Sequence, residues 1–108
     1  MPFATATPQK IGKYLGFPAS NSSQQTIAAA LATVDAMSDA NYKAGAIATI
    51  ETYLTSLDTL AAAILAEAQV DGSTLLPELR REYRRHCALV AIATALDIYA
   101  DTAGATQV

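Results

Sequence analysis

Apolar residues recur at alternating spacings of three and four over positions 47 to 68. The stripe comprises Ile47, Ile50, Leu54, Leu57, Ala61, Ile64 and Ala68, and it is widened by Tyr53, Leu60 and Leu65. This spacing places all of them on one side of an α-helix and is typical of the seam between antiparallel helices. We predict a helix that is capped by Ser38 and Asp39 and runs to about Val70. Such a helix rises about 45 Å, so we expect it to project or to be covered in part by a neighbouring subunit.

Two shorter helices are predicted before this one. Thr7 followed by Pro8 is typical of a helix start, with a hydroxyl cap and a proline in the first turn. The first helix carries Ile11, Tyr14 and Leu15 on one face and ends at Gly16-Phe17-Pro18. The second is predicted from a cap region at Asn21-Ser22-Ser23 to about Met37, with an apolar stripe of Ile27, Leu31 and Val34.

The last helix is predicted to follow a turn at Asp71-Gly72-Ser73. Pro77 is tolerated only in a first helical turn, which places the helix start between residues 73 and 76. One side of this helix carries Leu79, Tyr83, His86, Val90 and Ala93. Beyond Cys87 the sequence is apolar on nearly every side, with Asp97 and Asp101 on the final turns as expected solvated carboxylates. A chain of this size cannot easily surround such a helix, so we expect other subunits to cover it.

The fold class that these patterns predict is all-α, a small bundle of about four helices with one long helix. We interpret residues 1–108 as a single domain, with an extended arm at 1–6, a helical body at 7–101 and a flexible tail at 102–108. The core is expected to contain Ile50, Leu54, Leu57, Ile64, Leu89 and Leu96. The chain is 52% hydrophobic but only 6% aromatic, and much of the apolar share is alanine. Because alanine buries little area, the chain is expected to be only marginally stable without a partner.

Several function classes are not favoured by the sequence. No apolar run approaches the about 18 residues of a membrane span, and the N-terminus lacks the pattern of a secretion signal. Glu82 and His86 are spaced so that both could reach one metal ion, but His86 is the only histidine and is interpreted as a partly buried packing residue. Cys87 is expected to be a buried, unreactive thiol. We therefore predict no catalytic residue, no metal and no cofactor.

Four arginines within six positions stand out in a chain of net charge −3. On a helix, Arg80 with Arg84 and Arg81 with Arg85 form two neighbouring pairs one turn apart. One interpretation is contact with phosphates or with an acidic surface of a partner. The other is a solvated face that Glu78 and Glu82 balance at one-turn spacing. We favour contact with carboxylates of an adjacent subunit or partner.

Residues 7–16 read Thr-Pro-Gln-Lys-Ile-Gly-Lys-Tyr-Leu-Gly. This opening resembles the first helix of the head–tail connector, or adaptor, proteins of tailed bacteriophages. The order of elements is also similar: a short helix, a polar turn, a helix, a long helix, an arginine-rich and then apolar helix, and a loose tail. The resemblance spans most of the chain.

The resemblance implies a structural protein of the virion neck that is assembled in the host cytoplasm. It implies a homo-oligomeric ring, of about twelve copies in this family, that docks on the portal, extends the DNA channel and supports the next neck or tail protein. Phe3 in the arm and Gln107 and Val108 in the tail are then candidate partner contacts. Channel DNA is the second candidate for the arginines.

A small helical adaptor or regulatory module that forms a dimer through the long-helix seam is the alternative. Such a module would bind an acidic partner through its arginines. A ring uses two different faces of each subunit, whereas a dimer interface is self-complementary. The mass of the purified protein distinguishes the two.

Overall fold

The structure, a computed structural model, describes residues 3, 6–72 and 74–103. This part of the chain is 72% helical, with four helices and no strand, so the predicted all-α class is confirmed. The helices are α1 (Thr7–Leu15), α2 (Asn21–Asp35), α3 (Ala40–Glu67) and α4 (Leu76–Thr94). At 28 residues, α3 is by far the longest helix, and the longest dimension of the molecule is 51 Å.

The starts of α3 and α4 agree with the predictions, whereas the caps of α1 and α2 differ from them. The Asp39 carboxylate caps α3 by accepting from the Tyr42 N–H at 2.9 Å. The cap of α2 is Ser20, one residue before the predicted region. The prediction for Thr7 is wrong, because Ala6 occupies the cap position without a side-chain hydrogen bond. Thr7 is already helical, and its hydroxyl donates instead to Glu51 Oε2 at 2.8 Å.

Helices α3 and α4 form an antiparallel pair. The ring of Tyr53 contacts that of His86 at a centroid distance of 6.2 Å. Further along α4, Ala93 lines a surface cavity together with Ala46 and Thr49, which lie earlier in α3. Residue numbers therefore rise along α4 in the direction in which they fall along α3. This is expected of two helices joined by a short connection.

The core lies between all four helices, and α2 contributes Ile27, Leu31 and Val34 to it. Of the predicted core residues, Ile50, Leu54, Leu57 and Ile64 are buried, together with the rings of Tyr14 and Tyr83. Leu89 and Leu96 are only half-buried. Leu89 falls beside the inner stripe of α4, which consists of Tyr83, Cys87, Val90 and Thr94. Leu65 is 46% exposed, so it does not widen the stripe of α3.

Helix α1 lies along the middle of α3, with Thr7 opposite Glu51 and Lys10 opposite Asp58. Its other side faces α2, where Gly12 permits close packing. A Cβ atom at Gly12 would lie 3.2 Å from Ile27 Cδ1, which is tighter than ordinary contact. The glycine that weakens α1 as an isolated helix thus allows it to pack against α2.

Both ends of the body differ from the prediction. Phe3 is buried in this chain's own core at 3% exposure, so it is not available as a partner contact. Helix α4 ends at Thr94 rather than at residue 101, and the segment that follows returns to α1. Ala103 is fully buried, so the start of the predicted flexible tail is packed. Gln107 and Val108 lie outside the described residues.

Candidate assembly surfaces

Residues 96–103, which we call the strap, bind the C-terminal end of α1. The N–H groups of Tyr99 and Ala100 both donate to the Leu15 carbonyl, at 2.8 and 3.0 Å. The Thr102 hydroxyl donates to the Tyr14 carbonyl at 2.9 Å and lies 2.8 Å from the Tyr83 hydroxyl. Because the only hydrogen of Thr102 Oγ1 is directed at Tyr14, Tyr83 is the donor in that second contact.

The strap satisfies carbonyl groups that the end of α1 leaves unpaired. The last four carbonyls of any helix lack an intrahelical partner. Four residues after Tyr14 comes Pro18, which has no N–H to donate. The Tyr14 carbonyl oxygen instead accepts from the Thr102 hydroxyl and from the Cys87 thiol, whose sulfur lies 3.4 Å away. The strap is therefore a cap for α1 that comes from the other end of the chain.

Gly16 allows the strap to approach. Its φ of 78° is in the left-handed region, and a Cβ atom there would lie 2.5 Å from the Ala100 carbonyl oxygen. Gly72 has a similar φ of 69° but open space around it. We expect Gly16→Ala to lower the free energy of unfolding by about 2–3 kcal/mol, and Gly72→Ala by only about 1 kcal/mol. Urea denaturation of both variants checks this, and equal losses would show that the contact with Ala100 contributes nothing.

A polar cluster joins α1 to α3. Asp58 accepts hydrogen bonds from the Tyr14 hydroxyl and from Lys10 Nζ, the latter at 2.7 Å. Burial and the hydrogen bond to Asp58 raise the pKa of Tyr14 above its ordinary value. Burial alone would raise the pKa of Asp58, but the hydrogen bonds from Lys10 and Tyr14 more than offset it and lower that pKa. Asp58 is thus an ionised anchor for α1 at neutral pH.

The four arginines have different surroundings. Arg84 Nε donates to Asp101 Oδ2 of the strap at 2.9 Å, and Arg85 Nε donates to Glu82 Oε2 at 2.7 Å. Arg81 is exposed and forms no ion pair within the described part of the chain. Arg80 is half-buried, and its Nε has no hydrogen-bond partner there. Within this chain, two of the four are paired, and Arg81 keeps donor capacity for a partner, whereas the unpaired Nε of Arg80 is itself buried.

His86 and Cys87 are packing residues. The ring of His86 is half-buried, and its Nδ1 lies 2.9 Å from the Glu82 carbonyl oxygen. Cys87 is buried, and burial together with the charge of Asp101 raises the pKa of its thiol to about 11. Among the described residues no cluster of metal-ligating side chains exists, and none of their helices could cross a membrane.

An apolar patch surrounds the end of α4. We define the α4 end patch as Ala88, Ile92, Ala95 and Ile98, which line one shallow cavity together with Ala91, Leu96 and the exposed Asp97. Ile92 points away from the core and is 78% exposed, and Ile98 is 43% exposed. This end of α4 was predicted to be covered by other subunits, and within this chain its outer side is uncovered.

The exposed sides of α2 and α3 carry no charged residue, and we call them the charge-free surface. The charged residues of these helices, Asp35, Lys43, Glu51, Asp58 and Glu67, are all half-buried. The exposed positions hold mainly Ala, Thr, Ser, Gln and Asn. By contrast, the exposed side of α4 holds Glu78, Arg81, Glu82, Arg84 and Arg85. The surface is therefore divided between a long neutral part and a short charged part.

Searches against protein families, curated proteins and solved structures found no match to this chain.

Proposed function

We propose that this chain is a structural subunit that assembles with copies of itself into a ring, as a head–tail connector in the neck of a tailed bacteriophage. The observation that carries the proposal is the charge-free surface. Soluble domains ordinarily place charged residues at about a quarter to a third of their surface positions. Here no residue in the exposed class on α3 and α2, helices of 28 and 15 residues, is charged, and the charged side chains of Asp35, Lys43 and Asp58 are 34%, 31% and 40% exposed within ion pairs.

Depletion of charged residues is typical of surfaces that become buried on association. The centre of a protein interface is depleted of charged residues, because each one must lose its hydration on association. Alanine and threonine also leave a helix surface smooth, so a second helix can approach closely. Both features favour a surface that is covered in the working form of the protein.

A ring also needs a second, different surface on each subunit. The α4 end patch supplies it, since it lies on another helix and is apolar rather than neutral and polar. Contact between two unlike surfaces is heterologous, and it closes into a ring when the rotation between subunits allows. Two unlike surfaces favour this mode over the self-complementary dimer of the alternative function.

The phage context rests on the resemblance of residues 7–16 and of the helix order to the connector family. In that context the ring docks on the portal, extends the DNA channel and supports the next neck or tail protein. Arg80 and Arg81 then meet carboxylates of an adjacent subunit or partner, with channel DNA as the second candidate. The role of the chain is mechanical.

Light scattering on the purified chain during size-exclusion chromatography tests the proposal. A ring of the family type has about twelve times the protomer mass of 11.3 kDa. A mass of twice that of the protomer at every concentration would instead support the dimeric adaptor. A chain that stays single at every concentration would contradict both functions.

A further inference from the structure

We propose that the strap of one copy is exchanged onto a second copy, where it caps α1 of that neighbour in place of the neighbour's own strap. The proposal rests on the self-assembly proposed above and names the segment that links the copies. The exchanged segment is residues 96–103 of a second copy. Its binding site, which we call the seat, is formed by Tyr14 and Leu15 of α1 with Tyr83 and Arg84 of α4.

The hinge for such an exchange is Ala95. Its N–H donates to the Ile92 carbonyl and the next N–H, of Leu96, donates to the Ala91 carbonyl, which is a Schellman ending. This ending requires a left-handed residue, and Ala95 has a φ of 57°. In α1 the same role is filled by Gly16. An alanine in this conformation is strained, whereas glycine is not.

The sequence around the hinge favours a continued helix. Residues 91–101 contain four alanines and no glycine or proline. On this pattern the helix is expected to run to residue 101, and the structure departs from it only because the strap turns back at Ala95. Rotation of Ala95 into the helical region would remove the strain and carry the strap away from its own α1.

An empty seat is unfavourable, so release alone is not the stable outcome. Without the strap, the Leu15 carbonyl loses both of its donors and the Tyr83 hydroxyl loses Thr102. All of these seat groups belong to α1 and to the first half of α4. The strap of an identical copy makes the same bonds, as in domain swapping. The hinge also lies within the α4 end patch, which is one of the two surfaces proposed to meet in the ring.

The chain's single cysteine provides the test. Thr102 and Cys87 both direct their side chains at the Tyr14 carbonyl. In Thr102→Cys, oxidation at alkaline pH, where the raised pKa of the Cys87 thiol still leaves some thiolate, will therefore join residue 102 of a strap to Cys87 of the copy that seats it. Oxidation of the assembled protein, followed by denaturing electrophoresis without reductant, shows which copies are joined.

Exchange predicts covalent dimers and longer ladders that disappear when Cys87→Ala is added. Monomers with an internal disulfide in a protein whose mass shows assembly would overturn the exchange and leave the proposed function standing. Ladders that persist without Cys87 would also overturn it, since they join strap to strap. A chain that remains single in the mass measurement would instead count against the proposed function.

A second measurement does not depend on disulfide formation. Arg84→Asp and Asp101→Arg each place like charges at the contact between α4 and the strap. When the two variants are mixed, exchange restores opposite charges at every seat, because each strap then binds the other variant. We expect the mixture to assemble at least about threefold more tightly than either variant alone. A gain confined to the double variant Arg84→Asp with Asp101→Arg would place the strap on its own chain.

A substitution at the hinge should change the balance between the unexchanged and the exchanged strap. Ala95→Gly removes the strain of the closed form, so it is expected to favour the unexchanged strap about fivefold. In the Thr102→Cys background this change should reduce the intermolecular ladder. An unchanged ladder would show that the strain at Ala95 does not drive the exchange.

Discussion

Replacing Leu54 by alanine is expected to lower the free energy of unfolding by about 2–5 kcal/mol. Leu54 is 2% exposed and lies in the middle of the α3 stripe, between Ile50 and Leu57. Its truncation removes buried methyl groups and leaves a cavity that the packed helices around it cannot easily close. Small domains are stable by only about 5–15 kcal/mol, so this is a large part of the total.

The matched control is Leu65→Ala, which removes the same atoms from the exposed side of the same helix. Its expected loss is less than about 1 kcal/mol, since Leu65 remains largely in water. Chemical denaturation of both variants, at a protein concentration where the mass is that of one chain, measures the difference. Equal losses would show that the stripe from Ile47 to Ile64 is not the core.

The second large effect is expected on assembly rather than on folding. Ala48→Lys with Ala62→Lys places two charges on the exposed side of α3, where the chain has none. Lysine is a good helix former, so the isolated fold should be unchanged. Burying these ammonium groups at an interface costs several kcal/mol, so we expect self-association to weaken at least about a hundredfold.

Gln69→Lys with Thr74→Lys adds the same charge outside the charge-free surface, at two exposed positions of the α3–α4 connection. Sedimentation of both double variants compares their association. If the α3 variant assembled as tightly as the control, the charge-free surface would be a solvent-exposed surface in the working protein.

The helical fold could be predicted because its signals are local. The alternating spacing from Ile47 to Ile64 defines the buried side of α3, and Asp39 and Pro77 fix the starts of α3 and α4. The strap could not be predicted in this way. Its bonds to Tyr14 and Leu15 join residues more than eighty positions apart in sequence, and they override the local preference for helix after Thr94.

The candidate surfaces were only partly visible in the sequence. The arginine cluster was evident, but the pairing of Arg84 with Asp101 depends on the turn at Ala95. Phe3 was placed in a free arm because nothing local shows that it reaches the core. The charge-free surface did have a signal, since no charged residue occurs between Lys13 and Asp35. The exposed side of α3 is neutral as well. This became evident only from the structure, in which the charged residues of α3 lie at half-buried positions.

The central claim is that this chain is the repeating unit of a closed ring, and an electron micrograph of the assembled protein tests it most directly. The account predicts round particles with a central opening wide enough for duplex DNA, in which every subunit has the same two neighbours. Particles without an opening, each made of two copies related by a two-fold axis, would contradict it.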